Sequence, residues 1–133
     1  MGIKSHLEAN FDFEIVDEFL DHYSMMADSM EVMILDLSKP EMHSIVVDEL
    51  FRIFHSIKSA AAFLQIESMM KLARLVEDAL DVLRKSDKPI TEEIVIWLLE
   101  INDMFEQWND DLKNDVKLSK IKFSLLKIPD LDK

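Results

Sequence analysis

The chain has 133 residues, 49% of them hydrophobic, with one glycine and three prolines; that is the size of one core, and so few turn formers exclude a hairpin-rich sheet and point to an all-α fold. With no cysteine, disulfides, thiolate metal sites and thiol nucleophiles are excluded. A formal charge of −12, from 27 acidic and 15 basic residues, repels phosphate backbones and anionic lipid, so nucleic-acid and membrane partners are not expected and the acidic coat reads as a solvated surface.

The first residues carry no apolar signal core, and Met1-Gly2 is followed by His6 where a myristoylation motif needs Ser or Thr. No run of about 18 apolar residues is free of charge. A soluble, cytoplasmic protein is the expectation. Residues 1–10 show no periodicity and read as a frayed lead-in.

From Val16 the apolar positions Val16, Phe19, Tyr23, Met26, Met30, Met33 and Leu37 recur at threes and fours, which places them on one stripe of a helix. Ser38-Lys39-Pro40 ends it, and Pro40 suits the first turn of the next helix, where its missing N–H costs nothing. Val47, Leu50, Phe54, Ile57, Ala61 and Leu64 make the second stripe. After a phase shift near Phe63–Glu67, Ile66, Met69, Ala73, Val76, Leu80 and Leu83 make the third. The shift leaves room for a short loop only, so these two helices run antiparallel. Ser86-Asp87-Lys88-Pro89 is a turn, and Thr91 with Glu92 and Glu93 supplies an N-cap and acidic residues at the positive end of the helix dipole. The fourth stripe is Ile94, Leu98, Ile101, Phe105, Trp108 and Leu112, ending before Asn114-Asp115.

Four such stripes predict an antiparallel four-helix bundle over residues 11–113. Residues 114–133 are a C-terminal tail or an additional helix, since Val116, Leu118, Ile121, Leu125 and Leu126 stand among lysines before Pro129. The nine methionines read as gap-filling core residues.

Beside the second stripe runs a flank of Phe51, His55, Lys58 and Ala62, with Ser59 a turn beyond His55. Beside the third runs Met70, Arg74, Glu77 and Asp81. His55 lies nine residues before Leu64 and Glu77 eleven after Ile66, so at 1.5 Å per residue they sit roughly 14 and 17 Å from the shared turn, at matching levels. A carboxylate accepting from the imidazole Nδ1–H would fix the tautomer and leave Nε2 outward with its lone pair, as a nucleophile. Lys58 would balance charge on incoming phosphoryl oxygens, and Ser59, Ala60, Ala61 and Ala62 would leave room for a partner.

Residues 50–64, LFRIFHSIKSAAAFL, resemble the phosphorylation-site helix of histidine-phosphotransfer (HPt) domains, most of all the N-terminal HPt domain of chemotaxis histidine kinases, whose motif there reads FR-x-x-HSIKG. LARLVEDALDVLR, from Leu72 to Arg84, is similar to that family's next helix. Glu77 falls 22 residues after His55, as the family's histidine-orienting glutamate does. The resemblance covers roughly residues 13–112 and implies an HPt bundle with His55 as phosphoacceptor, Lys58 as basic neighbour, Glu77 as Nδ1 partner, and Phe51, Ser59 and Ala62 at the docking surface. Ser59 and Gln65 depart from it, standing where the family has glycines, and Arg74 stands where chemotaxis kinases often have another histidine.

Plainer readings stand beside these: Lys58 as a solvated lysine, Glu77 as an ordinary ion-pair partner of Arg74 or a nearby lysine, Arg74 as structural. His6, His22 and His43 read as surface residues. No metal role is assigned, because no glutamate has a histidine three residues later, as a di-iron bundle needs. With no glycine-rich loop and no acidic Mg²⁺ constellation in the sequence, ATP and Mg²⁺ are expected on partner proteins. The expected partners are a histidine kinase and a response-regulator receiver domain, and the resemblance implies a monomer. A docking bundle without phosphotransfer, or the phosphoacceptor piece of a larger kinase, are the competing expectations.

Overall fold

The computed structural model describes residues 2–131. The described residues form five α-helices: α1 (Ile3–Asn10), α2 (Phe13–Asp36), α3 (His43–Phe63), α4 (Glu67–Arg84) and α5 (Glu92–Lys113). Short 3-10 turns cover Pro40–Met42 and Phe123–Leu126, and the described residues contain no strand. Helices α2 to α5 carry the four predicted stripes and form the helical bundle. Helix α3 packs along α4, and α2 packs along both α5 and α3. None of the helices is long and apolar enough to cross a membrane.

Every residue of the second, third and fourth stripes is buried. Each fully buried Leu, Ile or Phe contributes about 1.5–3 kcal/mol, so these stripes hold the bundle together. At its centre Phe54, Phe105 and Trp108 meet edge to face, with centroids 5.3 and 5.1 Å apart. The Tyr23 hydroxyl donates to the Phe105 carbonyl at 2.6 Å. The first stripe is shifted slightly. Ala27 and Ile34 are buried, whereas Met26 and Met33 are only partly covered, and Met25 is 71% exposed. The side chains of α2 that face the core follow the 23-27-30-34-37 line, and methionine is not uniformly a core residue here.

The helix ends follow local chemistry. Thr91 Oγ1 accepts from the Ile94 N–H and caps α5, as its sequence context predicts. Helix α3 ends in a Schellman motif: Ile66 N–H reaches the Ala61 carbonyl at 2.9 Å and Gln65 N–H reaches that of Ala62 at 3.2 Å. Gln65 takes φ 60 there, the left-handed region that favours glycine.

The expectations for residues 1–10 and for His43 need correction, and the alternatives left open for the tail are decided. Residues 3–10 are a helix, not a frayed lead-in: Leu7 is fully buried, and the Asp115 carboxylate accepts from both the N–H and the Oγ of Ser5. Asp115 thereby caps α1 from a distant part of the chain, and the Ile3 N–H bonds the Val116 carbonyl. Gly2 makes this approach possible, since a Cβ there would lie 2.1 Å from the Asp115 carbonyl oxygen.

After α5, the tail forms no α-helix among the described residues. Its backbone is tied to α5 side chains instead: Trp108 Nε1 donates to the Ser119 carbonyl at 2.8 Å, Trp97 Nε1 to that of Leu125 at 3.0 Å, and Asp111 Oδ2 accepts from the Ser119 N–H at 2.8 Å. These bonds engage groups that a helix would use internally, and of its apolar residues only Leu125 is buried. His43 is likewise no free surface residue, because its Nε2–H donates to the Leu37 carbonyl across the turn between α2 and α3.

Candidate functional site

Phe54 is fully buried and anchors α3 in the core. The next residue is turned about 100° around the helix axis, which brings His55 to the rim, its side chain 57% exposed. The two-residue phase shift at Gln65-Ile66 sends α4 back along α3 in the register that the helical rise predicts. Nδ1–H of His55 donates to Glu77 Oε2 at 2.9 Å, and Nε2 is left as the other ring nitrogen, on an exposed side chain.

Glu77 is the nearly buried member, 9% exposed. Burial pushes its carboxyl group up, but the hydrogen bonds and charges of Lys58 and His55 outweigh that and hold it below the ordinary glutamate value. The carboxylate is therefore ionised at neutral pH and can only accept, which makes Nδ1 the protonated nitrogen.

Lys58 Nζ donates to the second oxygen, Glu77 Oε1, at 2.7 Å. The ammonium expected to face an incoming group is thus bonded to the acid that holds the imidazole. One carboxylate thus accepts from both the imidazole and the ammonium, and the ammonium cancels its charge locally. Arg74 is exposed, and the ion pair of Glu77 is with Lys58 rather than Arg74; the plainer reading of that acid as a lysine's partner is met, with the His55 bond in addition.

Phe51 lies one turn before His55, its ring nearly parallel to the imidazole at 15° with centroids 6.3 Å apart. The Arg84 guanidinium sits 4.0 Å from the centre of the Phe51 ring. It is also held by Asp81 at 2.7 Å and Asp48 at 3.7 Å. Phe51, Arg52, His55, Ser56 and Glu77 line an open recess of about 460 Å³. Ser59 and Ala62 are exposed on α3 but outside that recess. Ala61 points into the core, so the small residues after Lys58 do not all face a partner. Among the described residues, no group of three or more His, Asp or Glu could hold a metal ion.

The sequence reading found the three polar groups at the centre of this site and passed over Arg52, Ser56 and Arg84. Arg52 could have been found from its place three residues before His55, a spacing that puts side chains side by side on a helix. Arg84 had no such signal, because its contact with Phe51 crosses between helices.

Residues 14–111 match the family described as the Hpt domain. The chain belongs to that family. Its similar proteins include the chemotaxis protein CheA of Borreliella burgdorferi, 27% identical over 71% of this chain, and that of Treponema pallidum, 26% identical over 80%. The chemotaxis protein CheA of Salmonella typhimurium is 27% identical over 72% of the chain. The aligned part is only 11–14% of the length of these relatives. No solved structure matches the chain at a significant level. As an Hpt domain, the bundle is a phosphotransfer domain of two-component signalling.

Proposed function

We propose that the domain is a phosphocarrier in which His55 Nε2 accepts a phosphoryl group and passes it to the aspartate of a response-regulator receiver domain. The observation that carries this reading is the Nδ1–H bond to Glu77 at 2.9 Å on an otherwise exposed imidazole. It fixes the tautomer that leaves the Nε2 lone pair available.

In the forward step the Nε2 lone pair attacks phosphorus, the Nε2–P bond forms, and the bond from phosphorus to the donor oxygen breaks with its electrons on that oxygen. In the second step a receiver carboxylate attacks the same phosphorus and the Nε2–P bond breaks, returning the lone pair to the ring. Glu77 holds the imidazole through both steps and balances the charge it gains. Lys58 keeps Glu77 ionised and adds positive field beside the phosphoryl oxygens. Phe51, Ser59 and Ala62 belong to the surface that a receiver covers.

ATP and Mg²⁺ belong to the partners in this reading, the donor being a histidine kinase active site or a receiver phospho-aspartate. The CheA relatives favour the kinase as donor and a chemotaxis pathway as setting. The test is transfer. The domain, charged with radiolabelled phosphoryl groups by a CheA kinase module, is mixed with a receiver domain; label should leave the bundle and appear on the receiver. Label that stays on the bundle with every receiver tried, while free phosphohistidine donates to the same receivers, refutes the carrier role.

A further inference from the structure

A phosphoryl group on Nε2 brings a charge of about −1.5 to −2 at neutral pH, on a chain whose formal charge is already −12. Three cations of the site could meet that charge. Lys58 is bonded to Glu77, whose charge it cancels. Arg84 is committed to Asp81, Asp48 and the Phe51 ring. Arg52 differs from both. It stands three residues before His55, on the side toward which helical side chains lean, and it lines the same recess as the imidazole.

Its side chain is 77% exposed and is held by an ion pair with Asp48 at 3.1 Å. Such an exposed i,i+4 pair is weak. Asp48 also contacts Arg84, so the departure of Arg52 does not leave a carboxylate without a cation. A guanidinium fork matches two phosphoryl oxygens at once, which an ammonium does not.

We propose that Arg52 leaves Asp48 and binds the phosphoryl oxygens of Nε2-phosphorylated His55, acting as a catalytic residue that neutralises and orients the group for transfer. The inference rests on the phosphocarrier reading of His55. No bond changes order when Arg52 moves; the covalent step is the one already written at Nε2.

The test charges the full chain with phosphoramidate, whose P–N bond breaks as Nε2–P forms and whose nitrogen leaves as ammonia. Phosphorus NMR then follows the last ionisation of the phosphohistidine against pH. Loss of a cation at contact distance in a water-exposed site should move that titration up by about half a pH unit or more in Arg52→Ala. Arg52→Lys, which keeps the charge without the fork, should move it less. A titration in Arg52→Ala that superimposes on the wild type overturns the assignment. A wild-type chain that gives no phosphohistidine signal, while a known Hpt domain does under the same conditions, removes the His55 reading itself and this inference with it.

Discussion

Replacing Glu77 by alanine removes the group on which the site geometry turns, and its consequence can be bounded from the structure. Two charge-assisted bonds vanish, from His55 at 2.9 Å and from Lys58 at 2.7 Å. Both donors reach solvent, with side chains 57% and 27% exposed, so water replaces the acceptor and the fold should lose no more than about 1–2 kcal/mol. The rate is affected differently. A hydrogen bond to a charged group contributes about 1.5–3 kcal/mol, and each 1.36 kcal/mol is tenfold in rate; losing the Nδ1 tether should therefore slow phosphorylation of His55 by about 10- to 100-fold. Glu77→Gln keeps an acceptor without the charge and should fall between alanine and wild type. The assay is the initial rate of phosphohistidine formation from phosphoramidate, with circular dichroism confirming the fold. If Glu77 acted only through its charge, its removal would relieve repulsion of the phosphoryl group and the rate would rise. An unchanged or faster rate in Glu77→Ala thus refutes the orienting role.

Other expectations follow from the same coordinates. Gln65→Gly should stabilise the domain by about 0.5–1 kcal/mol, because glycine adopts φ 60 without strain; urea unfolding checks this, and equal midpoints would contradict it. Glu77 titrates below its ordinary value in the folded state, so its contribution to stability is present above the unfolded glutamate pKa and is lost as pH falls through the lower folded one. Urea midpoints should accordingly drop more steeply with acid in the wild type than in Glu77→Gln, and parallel curves would show that the network contributes nothing. Gly2→Ala should release α1 through the clash with Asp115, raising hydrogen exchange over residues 3–10 while leaving the His55 resonances in place. Trp97→Phe should cost about 1 kcal/mol and loosen the tail, since the Leu125 carbonyl loses its donor; limited proteolysis after α5 reports this, and an unchanged cleavage rate would contradict it.

The parts of the fold that were legible in the sequence are those in which burial repeats along one helix. The stripes of α3, α4 and α5 bury every residue assigned to them, because the period of an α-helix and the width of a core-facing face leave little choice. Helix α1 has no such face: one residue, Leu7, is fully buried, and the helix is held by Ser5 and Ile3 bonding to the chain after α5, partners more than a hundred positions away. For the tail, the sequence leaves the choice between an extended segment and a further helix open for a related reason. Its apolar residues permit a helix, but two indole N–H groups and the Asp111 carboxylate of α5 take its backbone instead, and nothing in local spacing announces them.

At the site, the level of His55 with Glu77 was legible because helical rise and a short turn determine it. The choice made by Lys58 was not, since its flexible stem can reach either an incoming phosphoryl group or the carboxylate across the groove. The structure shows it bonded to the carboxylate. Likewise, the packing of Arg84 on Phe51 depends on two helix faces meeting, which a single-helix pattern does not contain.

The central claim is that Nε2 of His55, and no other nitrogen, carries the phosphoryl group. Nitrogen–phosphorus correlation NMR on the phosphorylated, isotope-labelled chain reads this directly. The expected result is one phosphorus signal coupled to His55 Nε2, with Nδ1 still protonated and hydrogen-bonded, and its disappearance in His55→Gln. A phosphoryl group on Nδ1, on another histidine, or retained in His55→Gln would contradict the account.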